Sequence, residues 1–127
     1  MKILVVDDEM DVKSLFEQKF RKEIRSGQFV FSFAFSGEEA IHFLANHPSQ
    51  VVMILSDINM PGMSGIELLK SIRKDYPSAP PQVMMITAYG DRQNHDQAMK
   101  FGADDFLTKP VNFVELKEKL MLLPPLV

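Results

Sequence analysis

Lys2-Ile3-Leu4-Val5-Val6-Asp7-Asp8-Glu9 and Val51-Val52-Met53-Ile54-Leu55-Ser56-Asp57 are the stretches from which the fold of this 127-residue chain can be read. Each is a short apolar run that stops on a carboxylate. Such runs are far too short to span a membrane, and they suit strands buried on both faces of a sheet. Phe29–Phe35, Gln82–Ile86 and Asp105–Thr108 are three further runs of strand length. Phe29–Phe35 alternates large and small side chains, as a strand with two unlike faces would, and it is the natural edge of a sheet.

Outward from these runs the spacing turns helical. Val12, Leu15, Phe16, Phe20 and Ile24 form one stripe, which predicts a single helix over Asp11–Arg25 with Gly27 as its stop. Ala40, Ile41, Leu44 and Ala45 predict a helix over Gly37–Ala45. Ile66, Leu69 and Ile72 predict one over Gly65–Asp75, ended by Pro77. Arg92–Phe101 is more weakly patterned. Asn112–Leu123 carries Phe113, Leu116, Leu120 and Leu123 behind Asn112 as its cap. Strand then helix, five times over, implies an α/β fold with a doubly wound parallel sheet of five strands and helices on both faces.

The length fits one domain, expected over residues 1–123, with Pro124-Pro125 opening a tail or linker over 124–127. Lysine and arginine number 14 against 17 acidic residues, a net charge of −3, which argues against a dedicated nucleic-acid surface. There is no cysteine, so disulfides and thiolate chemistry are excluded, which fits a reducing compartment. The first apolar run has no cleavage site after it and does not read as a signal peptide, so the chain is expected to stay soluble in the cytoplasm, without membrane contact.

In an open parallel sheet, ligands bind at the carboxyl ends of the strands. There the runs end in Asp7-Asp8, in Asp57, in Thr87 and in Thr108-Lys109-Pro110. Three carboxylates, a hydroxyl and an ammonium therefore converge on one rim. Carboxylates held close repel one another and call for protons or a cation. Oxygen donors with room for water suit Mg²⁺, which can organise a phosphoryl group. A carboxylate can itself be the nucleophile, and Asp57, at the end of a central strand beside Asp7-Asp8, is the natural choice. His42, His47 and His95 show no ligand spacing and read as surface or boundary residues.

Four pieces in order, Val6-Asp7-Asp8-Glu9, Ser56-Asp57-Ile58-Asn59-Met60-Pro61-Gly62-Met63-Ser64-Gly65, Thr87-Ala88 and Lys109-Pro110, give the chain its resemblance to response-regulator receiver domains of bacterial two-component signalling. Each piece alone is weak; together, at the right strand ends, they are highly specific. The resemblance implies a flavodoxin-like three-layer sandwich with strand order 2-1-3-4-5. It implies that Asp57 accepts a phosphoryl group from a histidine kinase, a phosphotransfer protein or a small phosphodonor. Asp8 and Asp57 would hold Mg²⁺ directly, Asp7 through water, and Asn59 through its backbone carbonyl. Thr87 and the Ala88 N–H would bind phosphoryl oxygens, Lys109 would balance their charge, and the Lys109–Pro110 bond would be cis.

The same resemblance couples Thr87 to Phe106, at a position where tyrosine is common. Phenylalanine keeps the packing half of that switch and loses the hydroxyl. Asn59 and Tyr89 would tune the lifetime of the phosphoryl group, Tyr89 by shielding it from water. Arg92–Phe101, the last strand and Asn112–Leu123 would form the output face, and a homodimer through that face is one way of reading it out. Such a domain is a switch rather than a conventional enzyme.

Three rival readings stand beside it. A haloacid-dehalogenase-type hydrolase needs an aspartate two residues past its nucleophile, where this chain has Asn59, and places the nucleophile after the first strand. A flavodoxin-like nucleotide binder needs a glycine-rich phosphate loop after the first strand, which is missing. A phosphorylation-independent interaction module is the remaining alternative, opposed by the intact Asp7, Asp8, Asp57, Thr87 and Lys109.

Overall fold

The computed structural model describes residues 1–47, 51, 53–76, 81–88 and 90–122; Tyr89, Pro77, Leu123 at the end of the last expected helix and the tail over 124–127 lie outside them. The elements are β1 (Lys2–Val6), α1 (Asp11–Lys19), α2 (Arg21–Ser26), β2 (Val30–Ala34), α3 (Gly37–Asn46), β3 (Met53–Asp57), α4 (Gly65–Asp75), β4 (Gln82–Thr87), α5 (Arg92–Lys100), β5 (Asp105–Thr108) and α6 (Phe113–Met121). The strands form one parallel sheet in the order β2-β1-β3-β4-β5. Both the doubly wound fold and the expected strand order are therefore present, with β2 at an edge.

Alternate residues of a strand face opposite sides of a sheet, and here both sides are apolar. Leu4 and Val6 of β1 join Ile54, Val83 and Met85 in a core with Ala40, Leu68, Leu69 and Ala98, beneath α3, α4 and α5. Ile3 and Val5 join Leu55, Met84 and Ile86 in a second core with Phe16, Phe20, Leu116 and Leu120, beneath α1, α2 and α6. The unlike faces of β2 have their explanation here. Phe31 and Phe33 stack on each other and turn toward Phe16, while Ala34 packs in the opposite core.

The stripe from Val12 to Ile24 forms two helices instead of one. The chain bends at Phe20 (φ −112°, ψ 26°), although the Phe20 N–H still donates to the Phe16 carbonyl and the Ile24 N–H to that of Phe20, both at 2.9 Å. Residues four apart drift about 40° around a straight helix at each step. The run Phe16, Phe20, Ile24 would thus turn away from the sheet, and the bend at Phe20 brings it back. Phe20 is buried against Phe29, Phe31 and Phe113, whereas Leu15, read as part of the stripe, stays 40 % exposed. Gly27 stops α2 with φ 81°, and the Asn112 side chain caps α6, both as expected. Among the described residues, no helix is long and apolar enough to cross a membrane.

Candidate functional site

The carboxyl ends of β1 and β3 set the site. Asp7 follows β1 directly and is only 6 % exposed. Its N–H donates to the Ala34 carbonyl at 3.1 Å, and its Oδ1 accepts the Glu9 N–H at 2.9 Å. Asp8, the next residue, is exposed. Asp57 is the last residue of β3, a strand buried along its whole length, and is itself 3 % exposed. Each of the three carboxylates offers an oxygen within 4.8 Å of the others, a cluster that could hold a metal ion.

Lys109 reaches this cluster from beyond β5. Its Nζ donates to Asp57 Oδ2 at 2.8 Å, and its backbone N–H donates to the Thr87 carbonyl at 2.8 Å, tying it to the end of β4. The Lys109–Pro110 bond is cis. Thr87 is buried and pairs with Thr108, and Ala88 lies exposed at the rim just past it. Phe106 pairs with Met85, so it lies on the same sheet face as Thr87, one diagonal step away. Asn59 lies on the exposed loop after β3. The structure thus gathers Asp7, Asp8, Asp57 and Lys109 into one group, with the Thr87 carbonyl tied to Lys109 at the end of β4.

The charges do not balance. Three carboxylates against one ammonium leave two negative charges in a partly buried pocket. Burial pushes the Asp7 carboxyl above its ordinary value, and the charge of Asp57 adds to that, against the opposing Glu9 N–H. Burial alone would depress the Lys109 ammonium, but the hydrogen bond to Asp57 and the charges of Asp57, Asp7 and Glu9 outweigh it and raise it. A divalent cation with hard oxygen ligands answers the surplus in both charge and donor type.

Two residues of the site carry no sequence signal for the roles they play. A Cβ on Gly65 would come within 2.2 Å of the Asp57 carbonyl oxygen and 2.7 Å of Ile58 Cα, so only glycine lets α4 start against the end of β3. The Gly65 N–H donates to the Ile58 carbonyl at 2.8 Å there. Glu38, at the start of α3, accepts the Met63 N–H at 3.2 Å and so braces the loop that carries Asn59. The Ser64-Gly65 pair reads as a helix start, but the close approach to Asp57 is tertiary.

This geometry agrees with the comparisons. A family model described as response regulator receiver domain matches residues 3–121. The response regulator RppA of Synechocystis sp. is 34 % identical over 123 residues, covering 97 % of this chain and 50 % of that protein. PilR of Pseudomonas aeruginosa, a response regulator protein, is 39 % identical over 120 residues, covering 92 % of this chain and 24 % of that protein. The chain therefore spans half the length or less of these curated relatives. Among solved structures, a receiver domain from Clostridium thermocellum superposes with a TM-score of 0.79 at 28 % identity, covering 95 % of this chain and 98 % of that one. A Saccharomyces cerevisiae structure of the phosphotransfer protein Ypd1 with the receiver domain of Ssk1 matches with a TM-score of 0.81 at 26 % identity, covering 95 % of this chain and 86 % of the matched one. Fold, rim and relatives agree: the chain belongs to the response-regulator receiver domain family.

Proposed function

We propose that Asp57 is the phosphoryl acceptor of this receiver domain and that the Asp7, Asp8 and Asp57 carboxylates, with the Asn59 carbonyl, hold Mg²⁺. The reading rests on one observation: a buried strand-end carboxylate that shares a 4.8 Å cluster with two others and has a lysine ammonium at 2.8 Å. Bound there, Mg²⁺ would neutralise the surplus charge and draw in the phosphoryl oxygens of the donor.

An Asp57 carboxylate oxygen attacks phosphorus, and the bond from phosphorus to the donor breaks. With a phosphohistidine donor the departing imidazole nitrogen keeps the electron pair and takes up a proton. Lys109 stays protonated and balances the charge on the acyl phosphate. The Thr87 hydroxyl and the Ala88 N–H donate to phosphoryl oxygens. Phe106 follows Thr87 by packing, since it has no hydroxyl of its own. Asn59, and Tyr89 outside the described residues, tune the lifetime of the product.

The donor is a histidine kinase or phosphotransfer protein, by analogy with the yeast complex. The domain promotes its own phosphorylation and dephosphorylation and is not a conventional enzyme. α5, β5 and α6 form the output face, through which two copies can pair or a partner dock, and the domain itself makes no nucleic-acid contact. Residues 1–123 constitute the domain, 124–127 lead into a tail or linker, and the cytoplasm is its compartment.

Intact mass after incubation with acetyl phosphate tests the reading. A phosphoryl adduct that needs Mg²⁺ and is absent from Asp57→Asn is expected. An adduct that persists in that variant, or none in the wild type, would favour a phosphorylation-independent interaction module.

A further inference from the structure

His95 has no part in the site described above, yet its ring lies 4.1 Å from that of Phe106, centroid to centroid, with 34° between the planes. It projects from α5 and is half-buried, while Phe106 is half-buried on β5 and packs on the core beneath α5. The ring contact is therefore made across the gap between α5 and the sheet. We propose that His95 is a positioning residue of the switch, whose imidazole seats Phe106 in its present place and opposes its departure from that place. The inference deepens the proposed function and rests on it.

Phe106 and Thr87 share a sheet face, so a Thr87 hydroxyl drawn toward phosphoryl oxygens opens space beside the Phe106 ring. Movement of the ring into that space takes it off His95. The stack is thus broken by phosphorylation and opposes it. Phenylalanine at 106 lacks the hydroxyl that would anchor the ring by a hydrogen bond, so ring contacts such as this one carry its placement.

The acidic neighbours of the two rings in the chain each have a partner. On its own helix, Asp96 Oδ1 lies 3.5 Å from Nδ1. Asp91 is engaged as the cap of α5 by the Asn94 backbone and side-chain amides. From β5, Asp105 is held by Lys119 of α6 at 2.8 Å.

Beryllofluoride with Mg²⁺ stands in for the phosphoryl group in the test, on wild type, His95→Ala and His95→Phe, each checked for an unchanged melting temperature. His95→Ala is expected to bind beryllofluoride about threefold to tenfold tighter, from the usual strength of an aromatic pair. His95→Phe keeps a ring and restores wild-type affinity at pH 7.5. Equal affinities for wild type and His95→Ala, or a His95→Phe variant that binds as tightly as His95→Ala, would overturn the proposal.

A second readout needs no phosphate analogue. The NMR shifts of the His95 ring protons should carry the ring current of Phe106 and lose it in Phe106→Leu; shifts unchanged in that variant would likewise overturn the proposal. Wild type that takes up no beryllofluoride would count against Asp57 as acceptor, and the ring-current measurement alone would then decide whether His95 seats Phe106.

Discussion

Asp57 and Glu23 are both buried carboxylates, 3 % and 7 % exposed, and each is held by a lysine ammonium at 2.8 Å. Lys109 holds Asp57 at the end of β3, and Lys117 of α6 holds Glu23 of α2. The two pairs differ in what surrounds them. Glu23 meets Lys117 and the nearby Lys22, so its charge is matched and the hydrogen bond from Lys117 pulls its carboxyl below the ordinary value. Asp57 sits with Asp7 and Asp8, so one lysine is not enough, and burial, with the charge of Asp57 adding to it, raises the Asp7 carboxyl. A balanced buried pair is a clasp between helices; an unbalanced one is a place that asks for a cation. Burial and pairing alone do not distinguish structure from chemistry, but the local charge count does.

The largest effect that would break this contrast is on phosphorylation itself. Asp57→Asn should abolish the adduct seen by intact mass with acetyl phosphate. Glu23→Gln should leave its yield unchanged while lowering the melting temperature. Next come two packing changes, one on each side. Phe20→Ala, in the aromatic cluster beside the clasp, should cost about 3–5 kcal/mol in denaturant unfolding. Gly65→Ala, beside the acceptor, should cost about 3 kcal/mol, since the obstacle is backbone that cannot rotate away. It should also reduce the rate of adduct formation in the fraction that folds, by shifting the end of β3.

The smallest effect is on pH, and its sign differs between the two regions. Glu23 has a lowered value, so its stabilisation is present above its ordinary 4.5 and is lost as the pH falls through the lowered value. Asp7 has a raised value, so its charge costs stability at neutral pH, and that cost is relieved as the pH falls through the raised value toward 3.8. Without metal, Asp7→Asn should therefore raise the melting temperature at pH 7 and Glu23→Gln should lower it. Two shifts of the same sign would break the contrast.

Much of this was legible in the sequence because strand ends are. The apolar runs stop where the chemistry starts, so their order alone places Asp7, Asp8, Asp57, Thr87 and Lys109 on one rim. The bend at Phe20 was not legible, since the apolar stripe runs through it at helical spacing and only packing against Phe29, Phe31 and Phe113 reveals it. Nor was the partner of Glu23, which lies 94 residues away on α6. Glu38 and Gly65 act through contacts with loop and strand backbone that no periodicity encodes. His95, read as a boundary residue, does lie at a boundary, but what it touches there is Phe106.

If surplus negative charge at the rim makes the site, calorimetric titration of the protein with Mg²⁺ at pH 7.5 should find one bound ion, lost in Asp57→Asn and in Asp8→Asn and unchanged in Glu23→Gln. Binding that survives both rim substitutions, or no binding by the wild type, would contradict it.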